Sequence, residues 1–123
     1  MSYTITGEPI TPFNNEHLPD GTYLKLSSTR IVPVTWDYGY QVAYTEFRAS
    51  RGTYTTTEPE RVWSLIIDSH YTDEFVGVWT DDEGVTWVER CYWIEEQFPA
   101  EELGRAWHQK AIWDWSASEE VTL

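Results

Sequence analysis

Residues Glu74 to Glu95 read EFVGVWTDDEGVTWVERCYWIE, two apolar runs around the polar turn Asp81–Gly84. In the second run Val85, Trp87, Cys91 and Trp93 alternate with Val88, Tyr92 and Ile94. Successive strand residues point to opposite faces of a sheet. A strand apolar on both faces lies at the centre of its sheet or beneath a helix. The segment FPAEELGRAWHQKA supplies such a helix. Pro99 suits its first turn. Glu101 and Glu102 sit towards the positive end and Lys110 towards the negative end. Leu103, Ala106, Trp107 and Ala111 make one apolar stripe. Gly104 costs about 1 kcal/mol relative to Ala and marks a close approach to the sheet.

The rest of the chain reads mainly as strands. TYLKLSS and RIVPVTW form a hairpin, with Leu24 and Leu26 on one side of Lys25. Pro33 removes a ladder donor, so its strand belongs at an edge or carries a bulge. WDYGYQ is a turn around Asp37 and Gly39. YQVAYTEFRAS sets Tyr40, Val42 and Tyr44 against Gln41, Ala43 and Thr45, again with period two. SRGT turns the chain once more. TEPERVWSLIIDSH is ambiguous. Thr57 and Glu60 match a capping box and Val62, Leu65 and Ile66 fit helical spacing, yet VWSLII is short and rich in β-formers, which tips the reading towards a strand. Trp113 and Trp115 flank Asp114 as in a short final strand. Residues 1–20, with Pro9, Pro12 and Pro19, are expected to be irregular, and residues 117–123 to fray. The expectation is one α+β domain over residues 1–123: an antiparallel sheet of about five to seven strands, curved into a half-barrel, with one C-terminal helix packed on it.

Composition limits the function. Eight Trp, eight Tyr and four Phe in 123 residues can build a core from few side chains, each buried ring removing roughly 150–250 Å² from water. Such a content argues against intrinsic disorder. All eight Trp do not fit in one small core, so some are expected at the surface. The net charge of −13 repels nucleic acid and anionic membranes. The single cysteine, Cys91, forms no internal disulfide and reads as a small buried hydrophobe. With no basic–apolar leader and no membrane-length apolar run, a cytoplasmic protein is expected.

Thr80, Asp82, Gly84, Thr86 and Trp87 follow the pattern Ser/Thr-x-Asp-x-Gly-x-Thr-Trp/Phe. The stretch TDDEGVTW therefore resembles the Asp box of sialidases and other β-propellers. The resemblance covers eight residues, in one copy, in a chain too short for a propeller. In that family the box is a structural hairpin away from catalysis, so the resemblance implies a turn and assigns no active-site residue. Turn chemistry gives the same answer: Gly84 supplies the backbone conformation, and Asp82 is expected to bond backbone amides across the turn.

No nucleophile elbow, phosphate loop or nucleotide fingerprint is present, so no catalytic residue and no cofactor is assigned. Asp68, His70 and Asp73 put nitrogen and oxygen donors into one loop but match no established metal spacing. Aromatics beside carboxylates are the stronger signal. Trp36, Tyr38, Tyr40, Trp113 and Trp115, with Glu95, Glu96, Glu101 and Glu102, are the expected binding residues. They suit an interface with a protein partner, where Trp and Tyr are frequent anchors. The first expectation is an acidic protein-interaction module. Its sharper form is a phage or mobile-element inhibitor whose carboxylates imitate nucleic-acid charge towards a basic nucleic-acid-binding protein, which requires acids on one face at duplex-like spacing. The alternative is carbohydrate or small-ligand binding by an aromatic-lined sheet, which requires a concave aromatic surface.

Overall fold

The computed structural model describes residues 3–11, 18–44 and 53–123. They form one α+β domain with an antiparallel sheet of nine strands: β1 (Thr4–Ile5), β2 (Gly21–Ser27), β3 (Arg30–Thr35), β4 (Tyr40–Ala43), β5 (Thr53–Thr56), β6 (Phe75–Thr80), β7 (Thr86–Ile94), β8 (Ala111–Asp114) and β9 (Glu119–Thr122). Two helices, α1 (Val62–Ser69) and α2 (Gln97–Ala106), complete it. The sheet order is β1-β3-β2-β6-β7-β4-β8-β9, with β5 also on β7.

The two-faced strand is central, as its pattern requires. One edge of β7 pairs with β6. The other pairs with β5 along Thr86–Glu89 and with β4 along Cys91–Ile94, so β4 and β5 lie end to end on β7. The expected strand through Thr45–Ser50, and the turn at Ser50–Thr53, fall largely outside the described residues.

The β3–β4 connection reveals the curvature. All pairings between β3, β2, β6, β7 and β4 are antiparallel, which makes β3 and β4 parallel. They are four strand spacings apart, about 19 Å in a flat sheet. Parallel strands ordinarily need a crossover of a dozen or more residues. Here Trp36–Gly39 suffices, although a link of that length reaches only roughly 17 Å when fully extended. Gly39, at φ 85°, is not extended. The sheet therefore curls until the end of β3 meets the start of β4, as the expected half-barrel does. It stays open, extended past β4 by β8 and β9.

The concave face is filled by Leu24, Val32, Val34 and Trp36, with Phe75, Trp93 and Trp115 against them. The convex face carries both helices. Val62 and Ile66 of α1 pack on Tyr23, Ile31, Val76, Val78 and Val88. Ala100 of α2 packs on Val42 and Ile112, with Leu103, Trp107, Val121 and Leu123 around them.

Several local expectations are corrected. The 58–70 segment is helical, a 3₁₀ turn at Pro59–Arg61 leading into α1; its stripe Val62, Leu65, Ile66 outweighs its β-formers because the convex face must be covered. The start of the 3₁₀ turn has no side-chain cap: Glu58 is the N-cap, and its amide donates to Thr56 Oγ1 at 3.1 Å. The C-terminal tail is ordered as β9, paired with all of β8, because Val121 and Leu123 have an apolar site against α2. The irregular N-terminal stretch includes the short β1, hydrogen-bonded to β3 beside Pro33. Lys25 is buried and Leu26 exposed, because a register shift between Lys25 and Ser27 breaks the alternation. Lys25 Nζ donates to the carbonyls of Ile67 and His70 at 2.7 and 2.6 Å, a cation on the negative end of α1. On α2 the buried positions are Ala100 and Gly104, while Ala106 is exposed.

Candidate functional site

The β3–β4 link, the start of β4, the start of α2 and the end of β8 meet at one end of the domain. Gly39 makes this possible. A Cβ there would lie 2.5 Å from the Trp93 indole, and its positive φ is one that glycine tolerates. Trp93 Nε1 donates to the Tyr38 carbonyl at 2.9 Å, and the Trp115 amide donates to the Gly39 carbonyl at 3.0 Å. These bonds tie β7 and the residue after β8 to one turn.

Most of the expected binding residues converge here. Tyr38 is 44% exposed and stands edge-on to Trp93. Tyr40 pairs with Ile94 on one side and Asp114 on the other. Its hydroxyl donates to Gln97 Oε1 at 3.2 Å, and Gln97 Nε2 donates to Glu101 at 3.3 Å. Burial, then the charges of Asp114 and Glu101, raise the Tyr40 phenol above its ordinary range. Glu95 and Glu96 are exposed in the link before α2, and Glu119 faces Asp114 across the β8–β9 ladder. Among the described ion pairs, none neutralises Glu95, Glu96, Glu101, Asp114 or Glu119. Glu102 lies on another flank of α2 and pairs with Arg105 at 3.2 Å. Trp36 is not a surface residue. At 4% exposure it is the keystone of the concave cluster, its ring 5.6 Å from Trp115, 6.3 Å from Trp93 and 4.8 Å from Phe75. Trp113 and Trp115 are half-buried and meet edge-on.

The concave face holds a second group that sequence reasoning missed. Glu89 lies on it with Trp87, Cys91 and Trp93, opposite Gly77. Burial raises the Glu89 carboxyl, while Trp79 Nε1, 3.4 Å away, opposes the shift. Gln41 reaches across the trough. It accepts from Thr22 Oγ1 at 2.8 Å and donates to Cys91 Sγ at 3.1 Å. Burial, then Glu89, push the Cys91 thiol up to about 12, which leaves it an unreactive thiol. Trp79 and Trp87 stack at 5.6 Å and 7° across the β6–β7 ladder, with Trp79 43% exposed. The available signal was Glu89, a carboxylate within a largely apolar strand, on the face it shares with Trp87, Cys91 and Trp93.

The Asp-box-like turn is a hairpin, but its chemistry belongs to Asp81 rather than Asp82. Asp81 Oδ1 accepts the amides of Glu83 and Val85 at 2.9 and 3.0 Å, and Oδ2 accepts Trp87 Nε1 at 3.0 Å. Those bonds, the indole first, lower the Asp81 carboxyl. Gly84 closes the three-residue loop at φ 81° and the Thr80 and Thr86 hydroxyls meet at 2.8 Å. A turn with a left-handed glycine places the anchoring carboxylate just before the loop, which shifts the role one residue.

Asp68, His70 and Asp73 are not assembled. Asp68 and Asp73 are exposed, whereas His70 is buried at the C-cap of α1. His70 Nδ1 contacts Glu74 at 3.2 Å, and Glu74 reaches Arg90 at 3.5 Å. Among the described residues no group of three His, Cys, Asp or Glu could hold a metal, and no helix is long and apolar enough to cross a membrane. No protein-family model, curated protein or solved structure matches the chain.

Proposed function

We propose that this chain is an acidic interaction module that takes a basic protein partner on the end built by Tyr38, Tyr40, Trp113 and the start of α2. The observation carrying this reading is the convergence of Glu95, Glu96, Glu101, Asp114 and Glu119 around exposed tyrosine without a paired cation among the described residues. Rim carboxylates steer a cationic partner and set its on-rate, and aromatic anchors hold it. Nucleic-acid mimicry is not proposed. Glu58, Glu60, Asp68 and Asp73 flank α1, and Asp81, Asp82 and Glu83 sit at the hairpin tip, a spread over several surfaces and not one duplex-like row.

The test is affinity capture with the intact chain and with Tyr38→Ser and Glu95→Gln/Glu96→Gln variants at low and high salt. A basic protein held by the intact chain and lost from both variants is expected. Capture indifferent to both variants, or retention of acidic proteins only, overturns the reading.

A second reading draws on the concave face. Trp79, Trp87 and Glu89, with Gln41 and Thr22 beyond, offer stacking surface beside hydrogen-bonding groups, the combination that small ligands such as sugars use. Titration with a glycan panel, followed by tryptophan fluorescence, is its test. A saturable change lost in Trp79→Ala supports it, and a flat response across the panel removes it.

A further inference from the structure

We infer that the outer flank of α2 docks an amphipathic helical segment of the basic partner, apolar face inward and Lys/Arg outward. This deepens the proposed function and rests on it for the partner's charge.

The flank is an open depression lined by Ile94, Phe98, Pro99, Leu103 and Ala106, with Glu102 at its margin. It arises from the helix register. Ala100 and Gly104 turn to the sheet and are buried. Gly104 is held against it, since a Cβ there would lie 2.6 Å from Leu123 Cδ1 and 3.0 Å from Ile112 Cγ2. Phe98, Glu102 and Ala106, at intervals of four, therefore share a row facing outward. The strand β7 adds Ile94, which lies beyond the last residue that β6 covers, since β6 begins opposite Cys91.

Phe98 is the anomaly. It is 71% exposed in a chain whose other phenylalanine among the described residues, Phe75, is half-buried in the aromatic cluster. A ring left in water beside a proline, a leucine and an alanine forms an apolar patch of the kind that marks an interaction surface. The α2 flank is roughly 15 Å long, enough for two to three turns of a partner helix lying along it.

Charge selects the occupant. Glu95, Glu96, Glu101 and Glu102 all lie within four residues of Phe98, and the chain carries −13 overall. A second copy of this chain would bring those glutamates onto their own counterparts. An anionic lipid surface would be repelled in the same way. A basic amphipathic helix satisfies both features at once: its apolar residues cover Phe98 and its cations meet the glutamate rim, the helix-in-groove mode of recognition.

The experiment uses two fluorescent peptides of about 18 residues, made of Leu and Lys in equal composition. One repeats Leu at helical spacing. The other alternates Leu and Lys so that no helical face is apolar. Anisotropy titrations are run on the intact chain, Phe98→Ser and Tyr71→Ser. The helical-spaced peptide is expected to bind the intact chain about tenfold more tightly than the alternating one. Phe98→Ser, with unchanged circular dichroism, is expected to erase that preference, and Tyr71→Ser, at an exposed ring away from both faces, to keep it. Equal, salt-sensitive binding of both peptides overturns the groove while leaving the basic-partner reading standing. Absence of binding by either peptide overturns both. A preference retained in Phe98→Ser overturns the placement on α2.

Discussion

Gly39 and Gly84 separate two demands on a glycine that look alike in sequence. Both have positive φ, 85° and 81°. A methyl added at Gly84 would meet no atom within 4 Å, whereas one at Gly39 would lie 2.5 Å from the Trp93 indole. Gly84→Ala therefore carries only the left-handed backbone cost, about 1–2 kcal/mol. Gly39→Ala adds an overpacking cost against a ring fixed by its bond to Tyr38, and about 3 kcal/mol or more is expected. Urea unfolding of the two variants checks this, and equal losses would mean that Trp93 yields. His70 supports a second residue-scale prediction. Burial first, helped by the nearby charges of Lys25 and Arg90, lowers its pKa below 6.5 against the opposing pull of Glu74. The folded state holds the ring neutral and the unfolded state takes up the proton first, so stability is complete above about pH 6.5 and falls as the pH drops below that. The slope from this group is at most about 1.4 kcal/mol per pH unit. Unfolding free energies measured from pH 7.5 to 5 in the chain and in His70→Gln should converge at low pH, and parallel curves would exclude His70 as the source.

The central hairpin and α2 were legible, β7 as an apolar run bounded by a polar turn and α2 from the helical spacing of Leu103 and Trp107, although Ala106 of the same expected stripe is exposed. The α1 segment was not. Its composition favours a strand, and what decides for a helix is the apolar patch of Tyr23, Ile31, Val76 and Val78 supplied by β2, β3 and β6. Lys25 misled for the same reason, since its partners are carbonyls of a helix more than forty residues on. The C-terminal strand is the clearest such case. Glu119–Thr122 has little strand character, yet Val121 and Leu123 join the α2 cluster and the Leu123 amide bonds to the Lys110 carbonyl at 3.0 Å. Truncation after Ser118 would remove both half-buried side chains and strip β8 of its outer neighbour. The expected loss is about 2–4 kcal/mol, read as a fall in the urea midpoint. An unchanged midpoint would show that β9 adds nothing to the domain.

Curvature belongs to the whole molecule, and a single sequence expresses it only faintly. A four-residue link between two apolar strands looks like an ordinary turn until the strands prove to be parallel and four places apart. The candidate site shared this obscurity. Tyr38, Tyr40, Glu95 and Glu96 were identifiable as aromatic and acidic neighbours in the chain, but their union at one end depends on the β4–β7 pairing that sets Tyr40 opposite Ile94. Trp36 lost its expected surface role to the curl. The charge acts at this scale as well. Fourteen glutamates and seven aspartates against eight Lys and Arg set up a repulsive field, and such self-repulsion destabilises the compact state. Salt shortens the range of that field, from about 30 Å at 0.01 M to about 10 Å at 0.1 M. The thermal midpoint should therefore rise with sodium chloride, by about 3–5 °C for each kcal/mol of relieved repulsion. Affinity for a basic partner should fall over the same range, because the same carboxylates act in both. Glu95→Gln/Glu96→Gln should reduce both slopes together, since these two acids have no described ion-pair partner. A midpoint indifferent to salt would mean that the acids are already compensated. The acidic end would then lack the field that the proposed recognition needs.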